Sequence, residues 1–462
     1  MKSVSHIKLP ILHYAGLGFG LYIAALIFRE QYIVVAAFLF LMIITPFLIK
    51  DPVRNLILLI IGSFPLLPFH AGFDPGSPLP VFKVHRAAIA TIFMLWVFDR
   101  GPKNCLFSLK DYPLWPVTGY VFMGLLSISF INGMNPVTIN YVISFLVEEC
   151  LLAFMVFDYF QDEKQQRGLL NVLCISGLVF AVLGIIEFVI RFNWYSVIPV
   201  YREEMTFAQK QMVRFDMNRI RGAFTHPINY GATLAVISAC FMTFILTART
   251  GVAKNLYVVS IGIMFVSCYL CLSRGPLLMF FMIILFIILW KRKQWLIYVF
   301  LFLTVLYYQP LIFTDITGQI HKLVSETVNL GQTKLGISAY ARIQQFHRLL
   351  YHIKQKPFLG HGFSYLDSRF SHSIDIFYLR YCLNFGFIGL GIFLALIFTI
   401  SKKTIAVATR GISEFQRNFG ISYLAVICGV CLLWLTVAID DYLLWFWIMA
   451  GITMRMKVSI RN

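Results

Sequence analysis

Arginine recurs in this sequence where two polar stretches meet apolar ones. Arg219 and Arg221 lie in R-I-R-G-A-F-T-H-P (219–227), Arg274 in C-L-S-R-G-P (271–276) and Arg342 in S-A-Y-A-R-I-Q-Q-F (338–346). A guanidinium offers a planar fork of donors matched to phosphate or carboxylate oxygens, and it keeps its proton. Four of them in segments that flank apolar runs therefore point to an anion held at a membrane boundary. His372 heads S-H-S-I-D-I-F-Y-L (371–379), where a polar loop turns into an apolar run. The positive end of the following helix disfavours imidazolium, so the ring stays neutral. A neutral imidazole beside an arginine-bound anion can take a proton from a hydroxyl. The same position also suits a helix-capping or headgroup-facing histidine. Arg274 can likewise snorkel to water from a turn made by Gly275 and Pro276. Asp440 and Asp441 fall near the end of an apolar run, where they can hydrogen-bond a sugar, pair with an arginine or serve as a helix-terminal contact. Glu148 and Glu149, expected in mid-span, and Glu187, near a span end, read as interhelical polar contacts.

The elements that must position these residues are membrane helices. Of 462 residues 59% are hydrophobic and only 13% charged, and the mean hydropathy is +0.78. Apolar runs of bilayer length recur from end to end, which predicts an all-α polytopic membrane protein occupying residues 1–462 as one domain. Helices are expected near 9–28, 31–49, 53–69, 84–98, 113–131, 138–157, 169–190, 227–248, 255–272, 276–290, 294–313, 374–400, 419–438 and 441–455, or about 12–14 spans. The opening M-K-S-V-S-H-I-K precedes an apolar run with no small-residue cleavage site, so that run reads as a retained helix.

Orientation follows from the short loops. K-D-P-V-R (50–54), R-G-P-K-N-C-L-F-S-L-K (100–110), A-R-T-G-V-A-K (248–254), K-R-K (291–293), S-K-K-T-I-A-V-A-T-R (401–410) and the basic tail all fall on one side of the alternation. The positive-inside rule makes that side cytoplasmic, with both termini inside. Two long external loops break the trend. Residues 191–226 hold Arg191, Arg202, Lys210, Arg214, Arg219 and Arg221, and residues 314–373 hold Lys322, Lys334, Arg342, Arg348, Lys354, Lys356 and Arg369. Long loops translocate whatever their charge, but clustered cations on this face also suit an anionic ligand. Within the second loop Ile343, Phe346, Leu350 and Ile353 repeat at helical spacing opposite Arg348, Lys354 and Lys356. This predicts an amphipathic surface helix with Arg342 in its first turn, where the helix dipole disfavours a cation, ended by Pro357 and a Gly-His-Gly turn.

The net charge of +18 directs the chain towards anionic lipid headgroups or an anionic substrate. Its cations are scattered between spans, which argues against nucleic acid. Nine cysteines fall mostly in apolar runs; Cys268/Cys271 and Cys428/Cys431 have C-x-x-C spacing without His or carboxylate companions and read as packing residues, with no disulfide. The outer-loop histidines show no H-E-x-x-H spacing, so no metal site is expected.

In order and topology these segments resemble the O-antigen ligase and O-antigen polymerase superfamily of bacterial membrane proteins. The resemblance rests on R-G-x-F-x-H-P-x-N (221–229), S-R-G (273–275), Arg342 before a P-x-x-G-x-G turn (357–362), and His372 followed by G-x-x-G-L (386–390), and it covers residues 215–395. The family usually has His-Asn where this chain has His372-Ser373. The resemblance implies a metal-independent, inverting glycosyltransferase without cofactor at the periplasmic face of the inner membrane. Its donor would be a glycan on undecaprenyl diphosphate. Arg221, Arg342, Arg274 and Arg219 would bind the diphosphate, His372 would deprotonate the acceptor hydroxyl, and Asp440 and Asp441 would support the acceptor. The acceptor is another lipid-linked repeat unit in a polymerase of O-antigen or exopolysaccharide, the reading preferred here, or a lipid A-core sugar in a ligase. Membrane lipids, chain-length regulator proteins and flippase proteins are the implied partners. A transporter that flips the lipid-linked glycan is the third reading; it requires a charged cavity open to both faces, whereas the charge here gathers on one.

Overall fold

The computed structural model describes residues 52–69, 72–73, 82–101, 112–131, 133, 142, 144–197, 213–214, 217–291, 334–362, 376–435, 437 and 443–459. The expected spans at 9–28, 31–49 and 294–313 lie outside these residues. The described chain is an all-α polytopic bundle. Its helices are α1 (Pro52–Ser63), α2 (Val84–Arg100), α3 (Trp115–Ile131), α4 (Leu152–Tyr159), α5 (Glu163–Ile190), α6 (Pro227–Thr247), α7 (Gly251–Leu270), α8 (Arg274–Lys291), α9 (Lys334–Gln355), α10 (Phe377–Arg410), α11 (Glu414–Leu433) and α12 (Leu443–Arg455). Six of them, α5, α6, α7, α8, α10 and α11, are long and apolar enough to cross a membrane. Strands among the described residues are limited to two short antiparallel pairs, β1 (Gly72–Phe73) with β2 (Phe82–Lys83) and β3 (Val213–Arg214) with β4 (Met217–Asn218), and one isolated bridge.

Local sequence explains where these helices begin. The Asp162 carboxylate accepts from Gln165 N at 2.8 Å and caps α5, and the Ser413 hydroxyl caps α11 through Gln416 N at 3.1 Å. Pro227 opens α6, where its missing N–H leaves no intrahelical bond unmade. Helix α6 is the axis of the bundle: 83% of its apolar stretch is buried, against 22% for α7 and 28% for α8, which turn most of their surface outward. Gly231, Ala232, Thr233, Ala235, Ser238 and Ala239 permit this, since small side chains let helices approach closely. At Gly231 an added Cβ would come within 2.7 Å of Pro276 Cβ and 2.9 Å of Cys271 Sγ. The described cysteines are free, and those of the first C-x-x-C pair, Cys268 and Cys271, are buried in this α6–α7–α8 packing.

Four expectations need correction. The turn between α7 and α8 is residues 271–273, with Leu272 at φ 50°; Gly275 and Pro276 lie in the first turn of α8, where proline needs no hydrogen-bond partner. The amphipathic helix begins at Lys334, so Arg342 sits in its interior, and the dipole argument for an anionic partner lapses. Its buried face is Leu349 and Ile353, packed on Cys382 and Leu383, while Phe346 is exposed. The span expected at 374–400 is a helix from Phe377 to Arg410 broken at Gly386 (φ 66°, ψ −173°). Beside α4 the chain is π-helical over Phe145–Leu151, a local widening common near functional sites.

Candidate anion-binding site

Arg219 and Arg221 lie on the turn that leads into α6, and the bundle fixes the backbone of that turn from three directions. Near the end of α5 the Glu187 carboxylate accepts from Arg221 N at 3.2 Å through Oε1 and from Gly222 N at 3.0 Å through Oε2. Asn193, just past α5, donates through Nδ2 to Gly222 O at 3.0 Å. Phe69, after α1, donates its amide to Ala223 O at 2.9 Å and stacks its ring on Phe224 with centroids 4.4 Å apart. Gly222 has φ 54°, and a Cβ there would lie 2.6 Å from the Phe180 ring, so only glycine fits.

The carboxylate of Glu187 is thus spent on backbone N–H groups rather than on the guanidinium. Arg221 is only 4% exposed, and its Nη1 has no hydrogen-bond partner among the described residues. Burial lowers the Arg221 pKa and the nearby Glu187 charge opposes that shift, so the group remains a cation. A buried cation with an unsatisfied donor is costly unless something anionic completes it. Through Gly222 the turn borders a cavity of about 130 Å³, whose other walls include Phe180, Leu183, Gly184, Glu187, Trp194 and Tyr195.

Arg219 differs. Its Nε donates to Cys271 O at 3.2 Å and its Nη2 to the Ser273 hydroxyl, so it braces the α6 turn against the α7–α8 turn. Arg274 follows Ser273 directly at the start of α8 and is exposed. Arg219, Arg221 and Arg274 therefore come from two turns that touch at one end of the bundle. Arg342 lies on α9, whose C-terminal half docks on α10. His372, Asp440 and Asp441 lie outside the described residues.

His226 caps α6. Its Nδ1 accepts from Ile228 N at 3.1 Å, which requires the neutral ring, and burial together with the charge of Arg219 lowers its pKa to about 4. This makes it a structural residue. An unfolded histidine titrates near 6.5, so the capping contribution is complete above that pH and is lost as pH falls towards about 4. His226→Asn is expected to keep the cap and remove this acid sensitivity, whereas His226→Ala should cost about 0.5–2 kcal/mol at neutral pH. Thermal unfolding in detergent at pH 7.5 and pH 5 checks both; equal acid destabilisation of the wild type and the Asn variant would refute the assignment.

A second polar cluster was visible in the sequence only as isolated residues. The Glu148 carboxylate accepts from Arg86 Nε, Ser144 shares in the pair, and Glu148 Oε2 is 3.4 Å from His85 Nε2. His85 stacks on Phe69 at 4.6 Å, on the ring that also stacks on Phe224. Glu148 is the interhelical contact expected of it, joining α2 to the π-helical turn. Glu187 was read the same way, yet it shapes the arginine turn. Its signal in the sequence was an acid near the end of an apolar span; Asn193 and Phe69 gave none. Among the described residues no group of three or more His, Cys, Asp or Glu side chains converges.

Residues 259–394 match a family model described as O-Antigen ligase. The match runs from α7 to the broken part of α10 and takes in Arg274, Arg342, the 357–362 turn and His372, while Arg219 and Arg221 precede it. No curated protein matches the chain.

Proposed function

We propose that this chain, whose residues 259–394 match the O-antigen ligase family model, is an integral-membrane glycosyltransferase that polymerises O-antigen or exopolysaccharide from undecaprenyl-diphosphate-linked repeat units. The positive-inside reading puts the arginine turns at the periplasmic face of the inner membrane, with both termini cytoplasmic. The observation that carries the proposal is Arg221: a buried guanidinium with an open donor, on a turn whose backbone is already satisfied. Such a group is preorganised for a diphosphate, whose charge grows as the sugar–phosphate bond breaks.

In the proposed reaction an acceptor hydroxyl attacks the anomeric carbon from the side opposite the diphosphate. The new carbon–oxygen bond forms, the bond to the diphosphate oxygen breaks with its electron pair leaving on phosphate, and the configuration inverts. His372 takes the hydroxyl proton. Arg221, with Arg274 and Arg342, stabilises the departing diphosphate, and Arg219 holds the two turns together. Asp440 and Asp441 are assigned to the acceptor. A good leaving group in a fixed cationic setting needs mainly positioning and charge stabilisation.

The second reading, a ligase that transfers the glycan to lipid A-core, is favoured by the ligase character of the matching family. One assay separates the two: purified protein in liposomes with lipid-linked repeat units, with and without lipid A-core. Lengthening of the lipid-linked glycan without lipid A-core supports the polymerase, and transfer only in its presence supports the ligase. Transfer is expected to continue at an undiminished rate in excess EDTA, because guanidinium groups supply the positive charge. Turnover that stops with chelator and returns on adding a divalent cation would overturn that part of the mechanism.

A further inference from the structure

The P-F-L-G-H-G turn (357–362) and the break in α10 fit each other bond for bond. In an unbroken helix Phe387 N would donate to Leu383 O, and Ile388 N to Asn384 O. The break at Gly386 removes both bonds and leaves two donors and two acceptors open. All four are taken by the turn. Phe387 N donates to Pro357 O at 2.8 Å and Ile388 N to Phe358 O at 3.3 Å, while His361 N donates to Leu383 O at 2.7 Å and Gly362 N to Asn384 O at 2.9 Å. The turn thus works as a splint across the broken helix, and each partner satisfies backbone groups the other leaves open. Inside a membrane protein such irregular backbone persists only where protein satisfies it.

The two glycines at the contact admit no substitute. Gly360 has φ 67°, and a Cβ there would lie 2.5 Å from the Asn384 carbonyl and 2.6 Å from Gly386 N. Gly386 has φ 66°, and its Cβ would lie 2.1 Å from Phe358 O. Both obstacles are backbone, which cannot swing aside. Either side of the splint is further fastened. Leu349 and Ile353 of α9 pack on Cys382 and Leu383, His361 Nε2 lies 2.8 Å from His352 O, and Phe377 N donates to Trp434 O at 3.1 Å.

We infer that Gly360 and Gly386 are positioning residues for glycosyl transfer: their interlock sets α9, which bears Arg342, in a fixed register with the first half of α10, the helix that His372 precedes. The inference rests on the transfer reaction proposed above. Neither glycine touches substrate in this scheme. Each acts by holding the two backbones at a separation that only a missing side chain allows, and a displacement near 1 Å at a reacting pair costs about 100-fold in rate.

The test uses the full-length protein in liposomes carrying a lipid-linked repeat unit. Gly360→Ala is compared with Gly391→Ala, a position on α10, the helix of Gly386, where an added Cβ meets nothing within 4 Å. Amide hydrogen exchange is read over 357–362 and 383–388, single-turnover transfer on the same sample, and donor binding separately. Gly360→Ala is expected to raise exchange in both segments and slow transfer about 100-fold, with a much smaller change in donor affinity because Arg221 stands on another turn. Gly391→Ala should match the wild type. Phe387→Pro provides a second variant if Gly360→Ala does not accumulate. It removes the donor to Pro357 O and sets a ring carbon against that carbonyl, so it opens the same contact from the α10 side, at a first-turn position the half-helix itself tolerates, and should give the same pattern. Wild-type transfer despite raised exchange overturns the positioning role, as does lost transfer with exchange unchanged. Wild-type transfer by Arg221→Ala and His372→Ala instead overturns the reaction itself, so the two failures are distinct.

Discussion

Arg221→Ala is expected to weaken binding of the lipid-linked diphosphate by roughly 30- to 3,000-fold, the range for removing one partner of a buried, hydrogen-bonded charge pair. The fold should survive. Glu187 bonds the backbone N–H groups of residues 221 and 222, and Asn193 and Phe69 hold the next two carbonyls; none of these bonds involves the guanidinium. Arg219→Ala should behave differently. Its guanidinium bonds Cys271 O and the Ser273 hydroxyl, so its loss separates two turns and should lower thermal stability as well as activity. Donor binding to protein in liposomes, alongside melting temperature, distinguishes a ligand-holding arginine from a bracing one. If Arg221→Ala binds donor as well as wild type while remaining folded, the open donor at Nη1 has no part in recognition and the diphosphate assignment is wrong.

The sequence disclosed the bundle more fully than the site. Apolar runs of bilayer length marked α6, α7 and α8 to within four residues and α5 and α11 to within six, because a span must hide every backbone group inside a helix and so writes its length in hydropathy. The His226-Pro227 start of α6 was equally plain, since a cap and a first-turn proline are local signals. What hydropathy does not encode is how irregular backbone is satisfied. The break at Gly386 lies in an unbroken apolar run, and its partners come from residues 357–362; glycines at 360, 362 and 386 hinted at special backbone but not at each other. The roles of Arg219 and Arg221 also diverge only in three dimensions. Two arginines separated by one isoleucine look alike on paper, yet Arg219 points its donors at the α7–α8 turn and Arg221 keeps one open. Arg342 shows the reverse error: it was expected in the first turn of its helix, but the helix begins at Lys334, and that was enough to remove a dipole argument that depends on the first turn alone.

His372→Ala is expected to slow transfer by about 100- to 10,000-fold, the usual contribution of a positioned general base, while donor binding persists through the arginines. The reasoning starts from charge. The attacking group is a sugar hydroxyl, a poor nucleophile until its proton has somewhere to go, and the diphosphate beside it is held by cations that cannot accept a proton. The acceptor of that proton must therefore be another side chain at the same membrane face. His226 is excluded from this role because the lone pair of its Nδ1 already accepts from Ile228 N. His347 and His352 lie on α9, and His347→Ala and His352→Ala should have milder effects. His372 stands five residues before α10, which begins at Phe377, and is the histidine to which the family resemblance assigns the proton. The pH profile of single-turnover transfer supplies a further check. In wild-type protein the rate should fall with acidification as the base becomes protonated, and the small residual rate of His372→Ala should lack that dependence. Donor binding and transfer are measured on one liposome preparation at several pH values. A His372→Ala protein that transfers sugar at the wild-type rate with the wild-type pH profile would show that this histidine is not the base and that the proton leaves by another route.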